Sequence, residues 1–126
     1  MKFADLPATP GTEIDGGIYA GIHTLPDGTH HAVLLLQDTP SKRLDWSAAT
    51  AWAESVRGQL PSRPIAALLF ANVRTCFERA WHWTNEVHED DSSCAWIQLF
   101  SYGGQDFNCQ SSEGRARAVR LIPLTV

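Results

Sequence analysis

No apolar stretch in this sequence is long enough to cross a bilayer: the longest runs, residues 32–36 and 65–71, fall far short of the ~20 residues a spanning helix needs. There is no excess of positive charge. Ten Lys and Arg stand against 14 Asp and Glu, a formal charge of −4, so the phosphate affinity on which nucleic-acid binding rests is not available. Cysteine is scarce. Cys76, Cys94 and Cys109 cannot all pair within one chain and read as thiols, not as a disulfide framework. Zinc ligands paired at short spacing, such as Cys-x2-Cys or His-x3-His, do not occur among those thiols and His23, His30, His31, His82 and His88. Gly103-Gly104 follows an expected strand but opens no helix, which excludes a phosphate-cradling loop there. Residues 1–7 lack the apolar stretch of a secretory signal, being interrupted by Asp5, so the expectation is a protein that is cytoplasmic when synthesised, with virion association left open, and that inserts in no membrane.

What is present is apolar and aromatic. Of 126 residues, 44% are hydrophobic, with five Trp, five Phe and two Tyr, and only 19% are charged. That composition lies outside the regime of disorder and suits one buried core in one domain.

Residues 1–16, with Pro7, Pro10, Gly11 and Gly16, show no period and read as an N-terminal arm; residues 17–126 form the domain. Over 17–37 two β-rich runs flank Leu25-Pro26-Asp27-Gly28, where Pro presets φ and Gly accepts a positive φ, and a hairpin is predicted. Asp45 caps a helix expected over 46–57, ended by Gly58, with Trp46, Ala49, Ala53 and Val56 on one stripe. Ser62 caps a second, with Pro64 in its first turn and Ile65, Leu68, Leu69 and Asn72 following at helical spacing. After Thr75 come short aromatic-rich runs at 81–87, 94–100, 106–110 and 115–124, separated by turn formers. The expected class is α+β: an N-terminal β-hairpin, two helices, then short antiparallel strands with long loops.

Four ordered blocks now stand out: Leu60-Pro61-Ser62-Arg63 followed by Leu68-Leu69-Phe70-Ala71-Asn72; Trp81-His82-Trp83-Thr84-Asn85-Glu86; Ala95-Trp96-Ile97-Gln98-Leu99-Phe100-Ser101; and Arg115-Ala116-Arg117-Ala118-Val119-Arg120. In order and spacing they resemble the DUF1566 family, the Lcl C-terminal domain, over residues 60–122, and the Gly16-Gly17-Ile18-Tyr19-Ala20-Gly21 opening is similar to the lead-in of bacteriophage members. The resemblance implies a C-type-lectin-like fold in which first and last strands pair, two helices flank them, and a loop-rich second sheet presents a binding surface. It implies no catalytic residues and no cofactor. The chain departs from the family pattern at Ile65, where members carry an acidic residue, and lacks the shaft expected of a tail-fibre tip.

Strand alternation sends Trp81 and Trp83 to one face and His82 and Thr84 to the other. Trp83 and Trp96 are expected in the core; the same rings, if exposed, would serve as a sugar-stacking platform. Thr84, Asn85, Glu86, Glu89, Asp90 and Asp91 gather oxygen ligands, but no regular Ca²⁺-loop spacing accompanies them, and a solvated acidic loop is the expectation. Arg115 and Arg117 share a face that Arg120 does not, which favours structural ion pairing over one basic stripe.

The function expected from all this is a non-enzymatic ligand-binding module of phage or prophage origin, recognising a host-surface glycan or protein. His82, Thr84, Asn85, Glu86, Glu89, Asp90, Tyr102, Gln105 and Asn108 are the candidate ligand-binding residues, chosen as polar or amphipathic side chains on strands and loops of the second half. The alternative is a free-standing small phage protein that binds and inhibits or modulates an intracellular host protein. A third reading, an enzyme using Cys76, Cys94 or a metal, requires a convergence of perturbed groups that sequence does not display.

Overall fold

The computed structural model describes residues 1–126. A two-residue strand, β1 (Glu13–Ile14), pairs with β2 (Gly17–Thr24), which turns back at Pro26-Asp27-Gly28 into β3 (His30–Leu36). The turn works as its residues suggest: Gly28 takes φ +87°, its N–H returns to the Leu25 carbonyl, and Asp27 Oδ1 accepts from both the N–H and the hydroxyl of Thr29. Ala20 is an extra residue between the Tyr19–Leu34 and Gly21–Val33 pairs, a β-bulge that swings its carbonyl toward Asn72 Nδ2 at 2.7 Å.

Asp45 Oδ1 accepts from the Ala48 N–H at 2.8 Å and starts α1 (Trp46–Ser55); Ser62 Oγ faces the Ile65 N–H at 3.4 Å and starts α2 (Arg63–Val73). Helix α1 ends sooner than expected, and Gly58 is not what reverses the chain. Arg57 adopts the left-handed φ of +62°, while Gly58 lies where a Cβ would press on Leu36, Ala118 and the Val119 carbonyl. Close approach, not a positive φ, requires that glycine.

Four strands follow: β4 (Trp81–Val87), β5 (Cys94–Leu99), β6 (Gln105–Cys109) and β7 (Val119–Pro123). The molecule is thus α+β, with two helices and seven strands in a sheet ordered β1-β2-β3-β7 and a second ordered β4-β5-β6, every pair antiparallel. The last strand is shorter than the run 115–124 suggested. Residues 115–118 instead stitch the sheets together, the Arg115 carbonyl accepting from Trp83 N–H and the Ala118 carbonyl from Leu36 N–H. β7 pairs with β3, the second strand of the hairpin.

Helix α2 covers one face of the first sheet, closing a core of Ala20, Val33, Leu35, Ile65, Leu69, Val73, Phe77, Phe100 and Val119. Ile65 is 1% exposed there, so an apolar side chain suits the position. The other face carries Tyr19, Ala32 and Leu34, and the N-terminal arm covers it with Met1, Leu6 and Ile14. Residues 1–16 are therefore docked, not free, because that apolar face needs a cover. A second core, around the fully buried Trp83, joins α1 to the second sheet.

Gly114 lies against the ring of Trp81 so closely that any Cβ would overlap it. Gly114→Ala is expected to lower stability by about 1–3 kcal/mol through overpacking, read as a lower urea midpoint with unchanged slope.

Candidate functional site

Trp81 and Trp83 do turn to one face of β4 and His82 and Thr84 to the other, but that other face is covered as well. His82 is 4% exposed and Thr84 fully buried, so neither can meet a ligand on an open surface, contrary to expectation. Phe77 and Phe100 stand edge-on to the imidazole at 5.3 and 4.9 Å, and Nδ1 donates to the Ala80 carbonyl at 3.0 Å. Burial, with the nearby charges of Arg117 and Arg115 adding to it, pushes the His82 pKa down to about 4. Thr84 gives its hydroxyl proton to the Trp96 carbonyl at 2.8 Å and accepts from the Glu86 N–H.

Strand β4 then leaves regular register. Trp83 pairs with Ile97 and Val87 with Ala95, so Thr84, Asn85 and Glu86 together oppose Trp96. The loosened backbone is satisfied from elsewhere, the Trp46 indole N–H donating to the Thr84 carbonyl and the Asn85 N–H to the Pro61 carbonyl, both at 2.9 Å. Beyond this bulge His88 stacks on Trp96 at 4.9 Å, and Phe107, opposite Trp96 on β6, stands edge-on to it at 5.8 Å and tilted to His88 at 4.3 Å. The Arg63 guanidinium, from the first turn of α2, lies 3.5 Å over the indole, a cation–π contact of about 0.5–2 kcal/mol. Glu89 Oε2 accepts from the indole N–H at 3.0 Å, and that bond holds its carboxyl below the usual range. Of the two indoles expected in the core, Trp83 lies there, whereas Trp96 is half-buried at the surface, held by Arg63, His88, Phe107 and Glu89.

The other candidates divide. Glu86 Oε2 accepts from the Arg63 N–H at 2.7 Å, serving the start of α2. Gln105 spends both ends of its amide on the scaffold, accepting from Arg63 Nε at 3.0 Å and donating to the Arg63 carbonyl and Gln98 Oε1. Asn85 and Asp90 are exposed beside the Trp96 cluster. Asn108 pairs with Ala95 and so belongs to the opposite sheet face from Trp96 and Phe107. Tyr102, 73% exposed, projects from the β5–β6 turn and makes no ring contact with the cluster.

Arg63 and Phe107 are functional candidates that sequence reasoning passed over, and His88 is weighed there only as a zinc ligand. Phe107 had a signal, since alternation from Gln105 puts it on the same face as a paired Trp96. Arg63 had only its place after the cap Ser62, and no pattern ties it to a tryptophan 33 positions later.

No group of three His, Cys, Asp or Glu side chains converges to hold a metal ion. In the acidic loop three of the four carboxylates are spent on protein donors: Glu86 on Arg63, Glu89 on Trp96, and Asp91 Oδ1 on the N–H and hydroxyl of Ser93. Cys94 faces Cys109 across β5 and β6, and burial pushes its thiol pKa up, the wrong direction for a nucleophile. The three cysteines are free. No helix is long and apolar enough to cross a membrane. Neither a known protein family nor a curated protein matches the chain.

Proposed function

We propose that the chain is a non-enzymatic ligand-binding module of phage or prophage origin, with the C-type-lectin-like fold of the Lcl C-terminal domain family, and that its ligand is a host protein met at the Trp96 face. The observation that carries this reading is the surface cluster of Trp96, His88, Phe107 and Arg63, with Phe107 43% exposed. Aromatic and arginine side chains in a preformed patch are the groups that supply most binding energy at protein interfaces. A sugar platform needs an open aromatic face, whereas the Trp96 ring already carries a guanidinium and an imidazole. Protein is therefore favoured over glycan.

The rim of Glu89, Asp90 and Asp91 adds negative charge, which suits a basic partner surface and predicts an affinity that falls with added salt. The same rim keeps the second reading in play, an inhibitor of an intracellular host protein.

Pull-down from fractionated host lysate, run beside a glycan array, tests the reading. The expected result is a protein partner whose affinity drops at least about tenfold on Phe107→Ala together with Glu89→Ala, with the melting temperature unchanged. Recovery from envelope or from soluble fractions separates the two readings. Array binding without a protein partner, or undiminished partner affinity in that double variant and in Arg63→Ala, would overturn the placement.

A further inference from the structure

A cavity of about 190 Å³ opens between residues 39–42, the chain just after α2, and residues 115–117. Its lining carries three cations, Lys42, Arg115 and Arg117, against one carboxylate, Glu78. Arg117 is the unusual member. It is 8% exposed, yet the ion pair in the structure is Arg115 with Glu78, and Asp38 acts on Arg117 only from beyond ion-pair distance. Its terminal nitrogens donate to the carbonyls of Cys76 and Leu36 at 2.6 and 3.0 Å, its Nε has no partner, and the Phe77 ring lies 5.0 Å away. Neutral carbonyls and a phenyl ring position this cation without cancelling its charge, and a buried charge left unpaired is costly.

Elsewhere in the lining one pair of charges cancels and other groups are left over. Arg115 Nε stands 2.6 Å from Glu78 Oε2 but off the hydrogen-bond direction, so that pair is electrostatic only. Lys42 forms no ion pair. His82, with its Nδ1 proton given to Ala80, brings Nε2 as an acceptor. Two uncompensated positive charges beside one neutral acceptor match a dianion that also carries a proton.

We propose that this cavity binds a small tetrahedral oxyanion, inorganic phosphate or the phosphate end of a small molecule, with Arg117 supplying buried charge and Lys42 and Arg115 the contacts at the mouth. The volume is below the ~300–1,000 Å³ of pockets for drug-sized ligands, which limits the occupant to an ion or a short ester. The site shares no residue with the Trp96 face and stands whether or not a protein partner is found there.

Thermal melts at pH 7.5 in a low-salt buffer, titrated with sodium phosphate, with phenyl phosphate and with sodium chloride at matched ionic strength, test the site. The expected result is a melting temperature that rises and saturates with a phosphate but not with chloride. Stronger response to the ester identifies an organic phosphate as ligand, and stronger response to the free ion identifies phosphate itself. Lys42→Ala should weaken the apparent affinity about tenfold or more, and Arg117→Met, which keeps an apolar stem against Phe77, should abolish the response. Lys42 is exposed, so its variant decides the matter should Arg117→Met fail to fold. No rise with either phosphate, an equal rise with chloride, or an undiminished rise in Lys42→Ala would overturn the proposal.

Discussion

Trp83→Ala is expected to lower stability by about 3–5 kcal/mol, a large part of the ~5–15 kcal/mol available to a domain of this kind. The indole is wholly buried, and its core neighbours include Ala49, Ala53, Ala95, Ala116 and Ala118. Alanines have no side-chain length with which to fill the void, so the cavity persists instead of collapsing. The variant also removes the indole N–H bond to the Leu44 carbonyl at 2.9 Å, leaving that carbonyl with the Gly114 N–H as its donor. Urea unfolding followed by circular dichroism should rank the losses Trp83→Ala, then Trp83→Phe, which keeps much of the volume. Trp96→Ala, at a half-buried surface position, should cost less than Trp83→Ala. Equal losses at Trp83 and Trp96 would contradict the division between core and surface indoles described above.

Acidification from pH 6.5 to about pH 4 is expected to remove about 3 kcal/mol through His82 alone. Over that window the unfolded chain binds a proton at this imidazole and the folded chain does not, so stability falls as pH falls, by about 1.4 kcal/mol per unit at most. Above pH 6.5 the contribution is constant. His82→Phe keeps an aromatic ring between Phe77 and Phe100 and removes the titration, at the cost of the bond to Ala80. Unfolding free energies measured from pH 4 to pH 8 should therefore show a flatter profile for the variant, and an unchanged slope would refute the assignment.

The elements legible in the sequence are those fixed by neighbours in the chain. Pro26-Asp27-Gly28 and the caps Asp45 and Ser62 act within a few residues of themselves, and the hairpin and both helices appear where those residues put them. Alternation likewise sorted Trp81 and Trp83 from His82 and Thr84. It could not tell that the second face of β4 is covered too, because the covering residues Phe77 and Phe100 come from other parts of the chain. Nor could a period of two survive the bulge opposite Trp96, which resets the strand before His88. Glu86 and Gln105 look like free polar groups until Arg63 is brought against them. Arg117, read as one half of an ion pair, has carbonyl partners contributed by Leu36 and Cys76, far away in sequence.

The adjacency of β3 and β7 bears on how quickly the molecule can form. Leu35 and Val119 pair directly, although α1, α2 and the whole second sheet lie between them in the chain. Ring closure over so long a segment is entropically unfavourable, and chains dominated by such remote pairings fold in milliseconds to seconds rather than microseconds. Until β7 docks, the outer backbone groups of β3 stand open as a template for another chain, so refolding yield should fall as protein concentration rises.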